Sequence, residues 1–280
     1  MLRILTDTGS DITYLGASDA GVEVVELDVK FEGLPYDYRN DTDFSVFYSN
    51  LEKSKNLPST SQVNPSQYLD VFNDAKEKGD EILAITLSSG LSGTYSSALM
   101  AKDECDYDKI TVVDSKSAIT GQRMLVEQAV KLKNDGKSRE EIKDFLEDLR
   151  DKLVLSACLD SLTYLKKGGR VPPAMALIGN ALKIKPVVTI RDQEGKVEPI
   201  DKARGLAAGK RSIWDQMEKD GLDENWPVYI GHTNNEEIGK VFMEETVEKF
   251  NIKECKLFPV GCVIGTHAGP NCIVIVYVRK

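Results

Sequence analysis

The chain has 280 residues, 41% hydrophobic and 29% charged, a balance that excludes a disordered tail, a collagen-like rod and a coiled coil. Its 36 Lys and Arg face 45 Asp and Glu, a net charge of −9. So acidic a surface repels phosphate backbones and anionic membrane, which removes general nucleic-acid binding from the expected functions.

Leu2–Thr6 and Val22–Phe31 read as strands, and Glu32-Gly33 as a turn into a further strand, Leu34–Tyr38. Asp43–Lys53 and Pro65–Lys78 read as helices, the second with Asn64 as cap and Pro65 at its first position. Strand Glu81–Leu87, helix Ser92–Asp103, strand Lys109–Asp114 and helix Thr120–Asn134 follow. Ser138 with Glu140-Glu141 then opens a helix to Lys152. Strands alternating with helices predict βαβ units on a mainly parallel sheet. After residue 156 the pattern changes. Helices Asp160–Lys167 and Pro173–Leu182 precede strands Lys185–Arg191 and Lys196–Lys202, which flank Asp192–Gly195 as a hairpin. Helix Ala203–Lys219, strand Val228–Gly231, helix Glu236–Phe250 and the strands Cys255–Val260 and Cys272–Arg279 complete an α+β pattern. The expectation is an α/β protein of two domains: a mainly parallel N-terminal α/β domain over 1–155 and an α+β domain over 156–280, with a soft boundary and a tight interface.

The longest apolar run, Cys272–Val278, is far short of the roughly 20 residues that span a bilayer, and no signal peptide is expected. Five cysteines form no CxxC pair and read as reduced thiols of a cytoplasmic protein. With only His232 and His267 and no Cys/His cluster, no metal site and no cofactor are expected.

Four loops combine Ser, Thr and Gly: Thr6–Asp11, Ser59–Gln62, Ser88–Thr94 and Gly265–Pro270. The first and third follow predicted parallel strands, where ligands of α/β folds bind. In the third, Ser92 is expected to open a helix, so its hydroxyl and the amides near Gly93 and Thr94 make a small anion site. Taken singly, each loop is also an ordinary turn or helix cap.

Together, Pro58-Ser59-Thr60-Ser61-Gln62, Ser88–Ala98 (SSGLSGTYSSA), Val113-Asp114-Ser115, Tyr164–Arg170 (YLKKGGR) and Gly265–Pro270 (GTHAGP) resemble the DegV family, in the family's order and across nearly the whole chain. The resemblance implies a DegV-like two-domain fold. It also implies a cytoplasmic FakB-type subunit that binds a long-chain fatty acid and presents it to the ATP-binding subunit of a fatty-acid kinase for acyl-phosphate formation with ATP and magnesium. The chain departs from the family where Asn271-Cys272 follows the HxGP stretch in place of Gly.

An acyl chain needs a dry pocket and its carboxylate needs donors. Thr60, Ser61, Ser92, Gly93, Thr94 and His267 are the candidate carboxylate ligands, the resemblance supplying the assignment. Arg170, Arg204 and His267 are the candidates for contact with the phosphoryl group or partner. Arg204 is expected at a helix start, and matches a family arginine tied to the kinase step. His267 is expected in a glycine-rich loop between two strands. His232 reads as structural, and Lys166 and Lys167 as solvated helix charges. The rival reading is a serine hydrolase using Ser92, His267 and an aspartate such as Asp7. No G-x-S-x-G elbow supports it, and no phosphate-binding glycine motif supports ATP or dinucleotide binding by this chain alone. Asp7, Asp11 and Asp114 are weighed as magnesium ligands and read as caps.

Overall fold

The computed structural model describes residues 1–13, 16–18, 21–32, 34–35, 44–54, 56–176 and 184–280. In chain order, the first half runs β1 (Leu2–Asp7), a 3-10 turn (Thr8–Ser10), β2 (Val22–Val25), β3 (Asp28–Phe31), β4 (Leu34–Pro35), α1 (Ser45–Lys53), β5 (Ser59–Ser61) and α2 (Pro65–Lys78). It continues with β6 (Glu81–Thr86), α3 (Thr94–Cys105), β7 (Ile110–Asp114), α4 (Ile119–Asn134) and α5 (Arg139–Lys152). The second half runs β8 (Leu153–Cys158), α6 (Thr163–Lys167), α7 (Pro173–Ala176), β9 (Ile184–Ile190), β10 (Glu198–Arg204) and α8 (Leu206–Asp220). Then come β11 (Val228–His232), α9 (Glu236–Phe250), β12 (Cys255–Pro259), α10 (Cys262–Ala268) and β13 (Ile273–Val278).

The β-branched runs of the first half form a parallel sheet in the order β2-β1-β6-β7. The order in which successive strands are added reverses between the parallel neighbours β1 and β6, so their carboxyl ends form the switch point where α/β folds open a crevice. Local chemistry sets the helix ends. The Asn64 side chain accepts the Ser66 amide and Pro65 fills N1, while α2 stops at Gly79 with φ of 71°. Ser138 and Glu141 form the reciprocal capping box of α5.

The second half builds a six-stranded sheet, β10-β9-β8-β13-β11-β12, antiparallel except for β11 and β12. Both faces of this sheet are covered, which explains the unbroken apolar runs of its central strands. Ile273, Ile275 and Tyr277 face the core under α8 and α9, whereas Val274, Val276 and Val278 join the core shared with the first half. The shared core therefore lies between the two large sheets. A short sheet, β4-β3-β5, stands beside it. The β9–β10 turn is fastened to the first half, with the Ser88 hydroxyl donating to the Gly195 carbonyl at 2.7 Å. A Cβ on Gly90 would come within 2.3 Å of the Glu194 carbonyl oxygen, so a side chain there would force this clasp open.

Several expectations change. The segment Val22–Phe31 is two strands in two sheets: β2 pairs with β1, and β3 with β5. The helix expected from Ser92 starts at Thr94, because Ser92 instead accepts the Thr94 amide. Arg204 is the last residue of β10, paired with Ile184, not a helix start, since α8 begins only after Gly205 at φ of 85°. His267 sits in α10, not in a loop. Parts of the Leu34–Tyr38, Asp43–Lys53 and Pro173–Leu182 elements, namely 36–38, 43 and 177–182, lie outside the described residues. Among the described residues, β5, β8 and α10 are elements that the pattern did not announce.

Candidate functional site

A cavity lies between the two sheets, at the carboxyl edge of the parallel one, and holds about 870 Å³ of unfilled space, part of it open to solvent. Its walls are mostly apolar. Leu87 and Ile119 come from the ends of the first-half elements, Leu155, Ile190 and Val274 from alternate positions on β8, β9 and β13, and Val263 from α10. The polar side chains are few: Thr60, Gln62, Ser92, Arg170, Thr189 and His267. Thr189 is already committed, donating to the Leu155 carbonyl at 2.9 Å.

Thr60 reaches the cavity from β5, where the alternation of a strand sends the neighbouring Ser61 outward to solvent. Thr60 Oγ1 lies 2.8 Å from His267 Nε2. His267 occupies the last turn of α10, and its Nδ1 is buried with no partner among the described residues. Burial, with the charge of Arg170 adding to it, lowers the imidazole to about 4, so the ring is neutral at neutral pH. Ser92 Oγ lies 2.9 Å from Thr94 Oγ1. Thr94 is fully buried within this cap and outside the cavity wall; Gly93, against which the Gln62 side chain packs, is partly buried and also outside that wall.

Arg170 ties two segments together, its Nε donating to the Leu91 carbonyl at 3.0 Å and its Nη1 to the Gly168 carbonyl. Both partners are neutral. Among the described residues no carboxylate pairs with Arg170, although it is partly buried on the wall of an apolar cavity. A guanidinium so placed leaves donors for an anion. Arg204 is exposed and outside that wall.

The far end of α10 is pinned as well. The Asp11 carboxylate accepts the Gly261 amide at the helix start, and the Tyr48 hydroxyl donates to the Val260 carbonyl at 2.9 Å. Asp11 Oδ2 has no partner among the described residues, and burial pushes the carboxyl up to about 7 against the pull of Arg123. Asp7 is also buried and pushed up to about 6, although the amides of Leu87 and Gly9 and the Gln122 side chain donate to it.

These bonds do not form a hydrolase triad. Ser92 is bonded to Thr94 rather than His267, and Asp7 is committed to Gly9, Leu87 and Gln122. The ring nitrogen that a triad aspartate would orient is the unpartnered one. Among the described residues no three or more His, Cys, Asp or Glu side chains gather as for a metal ion, and no helix is long and apolar enough to cross a membrane.

The residue patterns brought Thr60, Ser92, Arg170 and His267 forward, and the fold sets them around one cavity. Sequence reasoning missed Gln62 and Gly168, whose absent side chain makes room for the His267 ring. Gln62 directly follows the singled-out Thr60-Ser61 pair, and Gly168 belongs to the quoted glycine pair, so both were within reach.

An α/β sheet whose switch-point edge opens onto an apolar cavity with one cationic end defines a ligand-binding protein of mixed α/β architecture. All of residues 1–280 match the family described as "uncharacterised protein, DegV family", and the chain belongs to the DegV family. A DegV domain-containing protein of Caldanaerobacter subterraneus subsp. tengcongensis is 34% identical over 280 residues, covering 100% of this chain and 99% of that one. Among solved structures, a DegV family protein from Thermus thermophilus, described for its fatty-acid binding, superposes with a TM-score of 0.87 at 29% identity, covering 100% of this chain and 99% of its own. A stearic acid-binding protein from Eubacterium ventriosum gives 0.89 at 27% identity with the same coverage. DegV of Bacillus subtilis, a fatty acid binding protein, gives 0.84 at 28%, again covering 100% of this chain and 99% of its own.

Proposed function

We propose that this chain binds a long-chain fatty acid in the cavity between its sheets and presents the carboxylate to a partner kinase subunit for conversion to acyl phosphate. The observation that carries the reading is Arg170, a cation without a carboxylate partner among the described residues, at the polar end of an otherwise apolar cavity. Each methylene buried against that wall contributes about 0.8 kcal/mol. An unpaired carboxylate would cancel much of this gain, and Arg170, Thr60, Ser92 and His267 supply the donors that prevent it. Relatives of the same fold described as fatty-acid binders support the ligand class.

ATP and magnesium come with the partner, which places the pair in the cytoplasm. A carboxylate oxygen attacks the γ-phosphorus, the bond to the β–γ bridging oxygen breaks, and ADP leaves. His267 and Arg170 face the added charge, and exposed Arg204 meets the partner. Arg204→Ala is expected to slow acyl-phosphate formation by the purified pair while leaving fatty-acid affinity unchanged.

Ser92 serves as a ligand rather than a nucleophile. Ser92→Ala should weaken fatty-acid binding by ~1–3 kcal/mol, about tenfold, in a direct titration. The mass of the denatured wild-type protein should be unchanged after incubation with a fatty ester. An acyl adduct on Ser92 would establish the hydrolase instead.

A further inference from the structure

Helix α6 ends in two adjacent glycines that are there for different reasons. Gly169 has φ of 71°, and a Cβ on it would meet nothing within 4 Å, so its role is conformational. Gly168 has an ordinary helical backbone at φ −75° and ψ −8°, which any residue adopts. A Cβ on Gly168, however, would lie 2.1 Å from His267 Nδ1 and 2.8 Å from its Cε1. The imidazole therefore rests directly on the Gly168 backbone, and Nδ1 has no hydrogen-bond partner among the described residues.

This contact determines where the single proton of the neutral ring sits. On Nδ1 it would be a buried donor facing the Gly168 backbone with no acceptor among the described residues, and orphaned N–H groups of that kind are rare. A bare Nδ1 instead receives the Gly168 Cα hydrogen as a weak contact. The positive charge of Arg170, near enough to hold the ring's protonation down, also favours a lone pair over a second donor. The proton then sits on Nε2 and donates to Thr60 Oγ1, 2.8 Å away. A hydroxyl that has accepted there has its own hydrogen free to turn into the cavity.

We infer that Gly168 is a positioning residue that holds His267 in its Nε2–H form, making Thr60 a donor to the ligand and selecting a head group that only accepts hydrogen bonds. An ionised carboxylate meets that demand. The amide or alcohol of the same chain length brings its own hydrogens against the Thr60 hydroxyl and Arg170. The ligand class in this inference rests on the fatty-acid reading; the tautomer does not.

Long-range proton–nitrogen correlation spectra of the imidazoles in the whole protein, with His267 assigned from the His267→Gln variant, read the tautomer directly. The expected result is a protonated Nε2 and a bare Nδ1. Gly168→Ala should abolish that pattern, weaken palmitate binding about tenfold, and reduce the preference for palmitate over hexadecanamide. The same substitution should lower the melting temperature of the wild type but leave it unchanged in a His267→Ala background, where the ring is gone. A wild-type proton on Nδ1, or an equal melting loss in both backgrounds, would overturn the inference. A wild type that binds no palmitate would instead refute the fatty-acid reading, with the tautomer and the melting comparison still interpretable.

Discussion

Arg170→Met should weaken fatty-acid binding about 100-fold, the largest loss expected from any single polar side chain of the site. Among the described residues the guanidinium is the one cation on the cavity wall, and the remaining polar groups there are neutral. Without it the carboxylate enters an apolar cavity facing hydroxyls and an imidazole alone, and stranding a partly buried charge costs about 2–5 kcal/mol. Arg170→Lys should recover only part of the loss. The native side chain spends two donors on the Leu91 and Gly168 carbonyls while offering others to the ligand, and an ammonium on a flexible stem cannot hold that planar fork. Titration with palmitate and with hexadecanol checks the assignment. The wild type should prefer the acid strongly, and Arg170→Met should bind the two with similar affinity. An unchanged preference would remove Arg170 from the head-group site.

The second large effect is on stability against pH. Asp11 carries a carboxyl raised to about 7 in the folded chain by burial, against roughly 3.9 in an unfolded one. The native state therefore binds more protons, so the contribution of this group is fully present below about pH 4 and is lost as pH rises through 7. Between pH 6 and pH 8 the loss comes to about 1.4 kcal/mol from Asp11 alone. Asp7, raised to about 6, adds a loss of the same sign. Asp11→Asn keeps an oxygen for the Gly261 amide and tolerates the left-handed backbone at φ of 57°, but does not titrate. Chemical denaturation at the two pH values should show the wild type losing about 1.4 kcal/mol more than the variant. Identical losses would mean that Asp11 titrates normally and that α10 is not held by a strained carboxylate.

The parallel half was legible because its strands and helices alternate cleanly and its helices begin with strong caps such as Asn64-Pro65 and Ser138 with Glu141. Strand β8 escaped because Leu153 follows Lys152 with no glycine, proline or turn residue to mark the change from helix to strand. Helix α10 escaped for the opposite reason. Its glycines read as loop, yet Gly265 is needed because a Cβ there would sit 2.3 Å from the Tyr48 hydroxyl. The glycine answers the close approach of α1 to this helix, a tertiary fact that local propensity does not contain. Thr60 and Ser61 show the same limit within two residues: both are hydroxyls in one motif, and only the pairing of β5 with β3 sends the first inward. The apolar wall could not be separated from the core, since Leu155, Ile190 and Val274 come from strands buried on both faces.

The central claim is that the cavity holds a fatty acid. Mass measurement of the purified chain under native conditions, followed by solvent extraction of the denatured protein and identification of the lipid, tests it most directly. The account predicts one long-chain fatty acid per chain, either retained from expression or taken up stoichiometrically when palmitate is added to stripped protein. A chain that carries no lipid and takes up no added palmitate would contradict it.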